Sequence, residues 1–303
     1  MKTPKIKLLW ITLIAVGLYV GIRAIPSVEC AFLHVDDVVV DANGVEFCAQ
    51  DVPLFLDIER LRFPVEMAVT PLGPLVAGEP VNCIIRVKTS SGTVFHPHEL
   101  AITHTERLHL LLVDTSLGDY QHIHPEPVGA GGEWQFTFTP RYGGEYRLYA
   151  EFAPLRTRRK VVASQTLQVN GEPAPVVRAD TTVARIGGYR FDLVWPEGNP
   201  RARRATDMRM QVSRVLDGEE KSGDPVRLQP IMGAYGHVAA FDAAGRGFAH
   251  LHPYPTGLEQ ETAPTLAFRF VANQPGFHKV WAQVMLDGQE YFIPFGVEIS
   301  GGG

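Results

Sequence analysis

The stretch LHLLLVDTSLGDYQHIHP, residues 108–125, is written a second time as GHVAAFDAAGRGFAHLHP, residues 236–253. Aligned without a gap over 22 positions, 104–125 against 232–253, the copies keep five identities: His109 with His237, His122 with His250, His124 with His252, Pro125 with Pro253, and Asp114 with Asp242. Tandem duplication explains shared histidines, but not why three of five surviving identities are imidazoles. Each copy reads as an apolar, alternating run, a short turn and a second run, the pattern of an antiparallel hairpin. In the first copy residues 108–114 and 120–125 flank a turn at 115–118. In the second, residues 236–242 and 248–253 flank 243–246.

Side chains alternate faces along a strand, so His122 and His124 point to one side. Symmetry of the first hairpin about Ser116 and Leu117 sets His109 opposite His124, on the same face, with Cβ atoms roughly 5 Å apart. Three imidazoles then converge on one patch. A one-residue slip would send His109 to the other face, so the convergence depends on that register. The alignment also matches His104 to Met232, an imidazole to a thioether; imidazole suits copper or zinc and a thioether favours Cu(I).

Outward from the hairpins, short strand signals separated by Pro/Gly turns recur from Phe63 to Val169 and start again at Val183. Phe136, Phe138 and Gly144 return as Phe268, Phe270 and Gly276, displaced by a four-residue insertion. The expected fold is all-β: two tandem immunoglobulin-like β-sandwiches, residues 63–170 and 183–300, joined by a stiff linker at 171–182. Residues 27–62, with the turn signal Asn43-Gly44, read as a stalk or a small addition to the first sandwich.

The N-terminus carries Lys2, Lys5 and Lys7 before an apolar run over residues 8–22. Positive charge ahead of such a run places the start in the cytoplasm and the rest outside. Residues 1–26 are therefore expected to be a single-pass anchor (a signal-anchor) in the inner, cytoplasmic membrane, with the soluble domains in the periplasm. A cleaved signal peptide is the competing reading, disfavoured because Ile22 and Arg23 stand where small residues would be needed. In an oxidising compartment Cys30 is able to pair with Cys48, or each remains free; Cys83, in an alternating run, reads as a buried core thiol.

A net charge of -5 and a pI near 6.1 offer no basic field for nucleic acid. The clusters Arg156, Arg158, Arg159, Lys160 and Arg201, Arg203, Arg204 read as solvated loops. No nucleophile elbow, phosphate-cradling glycine loop or His-Glu-x-x-His helix occurs, so no enzymatic activity is expected. Asp114, Asp119, Glu126 and Asp242 suit turns better than acid–base pairs. A blue-copper site is not expected, because it needs a cysteine with two histidines and Cys83 has no histidine close in sequence. Trp195 and Trp281 are expected in cores rather than at a partner surface.

Three segments resemble exported bacterial modules of the FixH-like and YtkA-like kind, often found near copper-handling genes: PLVAGEPVNCIIRV, the first histidine hairpin, and FTFTPRYGGEYRLYAEF. The second module's MGAYGHVAAF, GFAHLHP and QPGFHKVWAQV look like the same unit. The resemblance implies an exported tandem β-sandwich that handles metal, and fixes neither metal nor partner.

Two functions stay open. In one, the protein binds a metal ion, copper with zinc as the alternative, through His104, His109, His122, His124, Met232, His237, His250 and His252, with His96 and His98 as a further pair in the first module. In the other it is a non-catalytic accessory or scaffold subunit on the periplasmic face of a respiratory or photosynthetic membrane complex, its histidines merely capping sandwich edges. The expected partners are the membrane and either integral membrane complexes or metal-handling proteins.

Overall fold

The computed structural model describes residues 4–24, 38–40, 46–48, 55–58, 63–216, 219–220, 225–245 and 247–302. The helix Pro4–Ala24 and residues 32–303 form two separate units. The helix holds its large apolar side chains in the open, Trp10 at 62% and Tyr19 at 63% exposure. Among the described residues no helix is long and apolar enough to cross a membrane. Strands Val38–Val40 and Glu46–Cys48 pair with each other on either side of the Asn43-Gly44 signal, whose turn lies outside the described residues. Cys30 lies outside them too, and with it the proposed pairing to Cys48.

In the first sandwich, Val65–Pro71, Val81–Thr89, Glu133–Phe138 and Glu126–Val128 form one sheet in that order. Val161–Val169, Gly144–Phe152, Leu108–Asp114 and Tyr120–Ile123 form the other. This is the immunoglobulin strand order, with one strand added beside the third. Alternation along each strand turns Ile85, Val87, Trp134, Phe138, Leu110, Leu112 and Leu148 into a shared core. Cys83 sits in that core, fully buried, and burial pushes its thiol up to about 11.

The second sandwich repeats the plan. Thr206–Leu216 is flanked by Tyr189–Val194 and Thr265–Phe270; Gly276–Leu286 is flanked by His237–Asp242 and Gln289–Ile299, and Gly247–Leu251 follows His237–Asp242. Its core includes Phe191, Met208, Phe268, Val280 and Phe295.

Residues 55–57 depart from the reading of 27–62 as a stalk or first-sandwich addition. Leu56–Asp57 pairs with Gly247 and Phe248 as the edge strand of the second sandwich, and Phe55 is buried in that sandwich's core. The approach needs a glycine: a Cβ at Gly247 would lie 1.8 Å from the Leu56 carbonyl oxygen.

The two sandwiches pack on each other, sheet face to sheet face. Leu111, Val113, Tyr120 and Tyr149 of the first meet Ala239, Phe241, Phe248 and Trp281 of the second. Tyr149 stacks on Phe248 at 4.6 Å, and the Trp281 indole N–H donates to the Leu117 carbonyl at 3.2 Å. Trp281 is thus buried between modules, while Trp195 packs beside Phe270. The linker is tied at both ends: Gly143 N–H donates to Glu172 O at 2.8 Å, and Thr181 and Gly296 exchange backbone bonds of 2.9 and 3.0 Å. Each large apolar side chain so buried contributes about 1.5–3 kcal/mol, which is what offsets a polar cluster at the rim of the same interface.

Candidate metal centre

That cluster is built by the two hairpins. In the first, Leu110 pairs with Ile123 and Leu111 with His122, the register that sets His109 opposite His124. Leu108, Leu110 and Leu112 then point into the sandwich core, and His109, Leu111 and Val113 into the module interface. In the second hairpin Val238 pairs with Leu251 and Ala239 with His250, so His237, His250 and His252 share the face of Phe241 and Phe248. Because the same faces of both sandwiches meet, the trios point at each other.

The turns of the two hairpins explain the one non-histidine identity besides proline. The Asp114 carboxylate accepts from the N–H groups of Gly118 and Asp119, both at 2.8 Å, and Asp242 accepts from Gly247 N–H at 3.4 Å. These aspartates fix turn geometry and hence register.

The potential ligand atoms of His109, His122 and His124 all lie within 4.8 Å of one another. Their rings are 4.6 Å (His109 to His124), 5.1 Å (His122 to His124) and 5.8 Å (His109 to His122) apart. Across the interface His122 stands 4.7 Å from His250 and 5.2 Å from His237. The second trio is similarly spaced, at 4.7 Å for His237 to His252 and 4.9 Å for His250 to His252. His104 stacks on His252 at 3.6 Å.

His104 and Met232 occupy equivalent tight turns. Thr103 and Glu106 exchange backbone bonds across His104-Thr105, as Ile231 and Ala234 do across Met232-Gly233. All four turn residues have positive φ, 49° for His104 and 51° for Met232, a region costly for residues with a Cβ. Met232 Sδ lies 3.9 Å from Gln283 Nε2, the amide whose oxygen holds His122. His96 and His98 stack on one another, with His96 Nδ1 at 2.8 Å from the Ala130 carbonyl; they belong to a separate 3-10 turn.

Two residues of the cluster escaped the sequence reading. Glu151, opposite His109 on the neighbouring strand, accepts from His250 Nδ1 at 2.5 Å. Gln283, opposite His237, accepts through Oε1 from His122 Nδ1 at 2.9 Å. Each therefore reaches from its own sandwich to the middle histidine of the other. Their signal was present: YAEF at 149–152 and WAQV at 281–284 obey the same four-residue offset as the phenylalanine matches.

These partners fix tautomers. A carbonyl or carboxylate oxygen only accepts, so His122 and His250 each hold a proton on Nδ1 and keep the lone pair on Nε2. His109 Nε2 donates to the Thr103 carbonyl at 2.8 Å, which leaves Nδ1 its lone pair; that atom accepts from His124 Nε2 at 3.0 Å. His122 Nε2, His250 Nε2, His252 Nε2 and both ring nitrogens of His237 are buried without a hydrogen-bond partner. Such groups each cost about 1–3 kcal/mol, a cost that coordination of a cation removes for a lone-pair nitrogen.

Burial, reinforced by mutual repulsion, holds His109, His237, His250 and His252 well below the usual histidine range. Burial also brings His122 down to about 4 and His124 to about 3. All six are neutral at neutral pH, the form that binds metal. A neutral, nitrogen-rich donor set with ordered outer partners is one that could hold a metal ion.

The DUF8832 family, described as a domain of unknown function, matches the chain twice, over residues 64–171 and 181–301. No curated protein matches it. Among solved structures the chain is similar to the fibronectin(III)-like modules of Clostridium thermocellum CbhA, with 11% identity over 77% of this chain and 95% of that one, at a TM-score of 0.21. It is similar to the α2-macroglobulin of E. coli with 10% identity over 78% of this chain and 17% of that one, at 0.27. A DUF4785 family protein from Legionella pneumophila shares 8% identity over 77% and 57% of the two chains, also at 0.27.

Proposed function

Because the chain belongs to the DUF8832 family, a domain of unknown function, its role has to be read from the site, and we propose that it binds a metal ion, copper with zinc as the alternative, through the histidines gathered between its sandwiches. The observation that carries this is the first trio, three imidazoles with their ligand atoms within 4.8 Å of one another. The duplicated trio facing it, the neutral state of all six rings and the resemblance to FixH-like and YtkA-like modules support the same reading. The protein acts as a binding protein rather than an enzyme. The lysines ahead of the N-terminal apolar run favour a chain attached to the cytoplasmic membrane and exposed to the periplasm, where copper and zinc are exchanged.

The test is elemental analysis of the full chain, exported by its own N-terminus and purified without chelator. About one copper or zinc per chain is expected, lost in the double variant His122→Ala, His124→Ala. Protein free of both metals that also fails to take up added Cu(I), Cu(II) or Zn(II) overturns the reading. The exposed apolar side chains of the N-terminal helix favour a second reading, an accessory subunit of a respiratory or photosynthetic membrane complex. That role predicts co-purification with integral membrane proteins in mild detergent, and a monodisperse monomer there counts against it.

A further inference from the structure

Read as a repeat, the two hairpins suggest two equivalent sites, one per module. The geometry points to something else: we propose that the metal is held jointly by the two sandwiches, with His250 of the second completing the trio of the first and Glu151 acting as the positioning residue that aims it. The inference deepens the metal-binding reading and rests on it.

Tetrahedral coordination takes four ligands, and one hairpin supplies three. With metal–nitrogen bonds of about 2 Å, rings sharing a tetrahedral ion have centroids about 5 Å apart. His250 meets that spacing to His122 at 4.7 Å and stands 5.9 Å from His109; it lies just outside the trio whose ligand atoms come within 4.8 Å of one another, so it has to close on the ion as the fourth ligand. Its side chain is 1% exposed, its Nδ1 proton is committed to the buried Glu151 carboxylate at 2.5 Å, and its Nε2 is buried with no hydrogen-bond partner. A carboxylate on the far nitrogen of an imidazole is the usual outer partner of a metal-binding histidine, fixing tautomer and ring direction. Here the carboxylate and the imidazole belong to different modules, so the pair is satisfied only when the sandwiches are closed.

A small cavity lies beside the outer partners of the site. About 10 Å³ in volume, it is walled by Thr103, His109 and Glu151 from the first module and His250 from the second, with Lys160 alongside, and neither His122 nor His124 lines it. It has room for one water-sized occupant, next to the Thr103 and Glu151 oxygens that hold His109 Nε2 and His250 Nδ1. Lys160 Nζ, 4.0 Å from Glu151, is a third exposed and marks the side on which the cavity nears solvent.

The consequence is a metal-dependent clamp: an ion bound by His109, His122, His124 and His250 stabilises the closed pair of sandwiches by the free energy of binding. Loss of the metal loosens the interface without unfolding either core.

The test compares the full chain with His250→Ala, His237→Ala, Glu151→Leu and Glu151→Gln, loaded with Co(II) and then titrated with Zn(II). The wild type is expected to give the intense visible bands of tetrahedral Co(II) and slower proteolysis of the 171–182 linker on loading. His250→Ala loses both, with zinc affinity reduced by at least the roughly 10- to 100-fold that loss of an outer-shell partner costs. Glu151→Leu behaves like it, and Glu151→Gln keeps spectrum and affinity, because a glutamine oxygen does for His122 what this carboxylate does for His250. His237→Ala retains the spectrum. Should His250→Ala bind with wild-type affinity and spectrum while His122→Ala does not, the shared site is wrong and the single-hairpin reading stands; should His237→Ala change the spectrum in its place, the roles given to His250 and Glu151 are wrong. A wild type that takes no metal refutes both. Unchanged thermal unfolding of the metal-free variants separates lost coordination from lost folding.

Discussion

Acidification should open the metal-free protein at a pH where ordinary β-sandwiches are intact. His122 titrates near 6.5 in an unfolded chain and is brought down to about 4 in the folded one, chiefly by burial. Above pH 6.5 it is neutral in both states and adds no pH dependence. Below that value the unfolded chain takes up a proton that the folded chain refuses, so stability falls as pH falls, by about 1.4 kcal/mol for each pH unit until the folded value is reached. His124 follows over a wider window, down to about 3, and His109, His237, His250 and His252 shift in the same direction for the same first cause. One unit below 6.5, His122 and His124 together remove about 3 kcal/mol, and the other four rings add to the loss in the same direction, against a total stability of about 5–15 kcal/mol for a typical domain. The assay is urea unfolding of apo protein from about pH 8 to about pH 5, followed by far-ultraviolet circular dichroism and by fluorescence of Trp281 in a variant whose other three tryptophans are replaced by Phe, which reports the module interface. Expected is a steep drop in midpoint below about pH 6.5, with the fluorescence change preceding the loss of strand signal. Replacing His122 and His250 together by Gln should flatten the dependence. A midpoint constant to within experimental error between about pH 7.5 and about pH 5.5 would falsify the burial argument, because it requires the six rings to be protonated as easily inside as outside.

Other consequences are simpler. Trp281→Ala removes an aromatic side chain from between the modules together with its hydrogen bond to Leu117, and should destabilise by about 3–5 kcal/mol in thermal or denaturant unfolding; a loss under about 1 kcal/mol would mean that the sandwiches do not pack through this face. Gly247→Ala forces a Cβ against the Leu56 carbonyl, so residues 55–57 should lose amide protection in hydrogen exchange while the strand Gly276–Leu286 keeps it. Cys83, fully buried and with its thiol pushed up to about 11, should resist alkylation at about pH 8 until the first sandwich unfolds, and prompt labelling of the native protein at this position would contradict its burial.

The two sandwiches and the histidine register were legible because a period of two and a tight turn leave little freedom. Once Ser116 and Leu117 sit at the tip, His109 has to face His124, and the paired identities at Asp114 and Asp242 are the turn caps that hold that register. The contact between modules went unread in the sequence, although two strands carry its trace. Leu108–Asp114 is buried at every position, and so is His237–Asp242; LLLV and VAAF are strands apolar on both faces, which a sandwich strand with one wet face would not be. Which surface covers the second face is a fact of three-dimensional packing that no local pattern encodes. The repeat offset marks the positions of Glu151 and Gln283, but their roles were hidden for the same reason, since each finds its partner in the opposite module. Residues 55–57 were out of reach because two or three residues are too few to show a period.

Duplication also explains why the cluster is asymmetric in its details. In a strict twofold pair, the residue opposite the first histidine of each trio would be the same in both modules, either two carboxylates or two amides. Two buried carboxylates would repel each other and raise the cost of closing the interface. Two amides would leave a bound cation with no buried counter-charge. One glutamate and one glutamine give both middle histidines an acceptor on Nδ1 while placing a carboxylate directly against only one of them, within 4.0 Å of Lys160. The same logic separates His104 from Met232: the turns match, but one carries an imidazole stacked on His252 and the other a thioether resting on Gln283. The six histidines stay identical across the contact, and the residues around them differ where two identical side chains would compete for one environment.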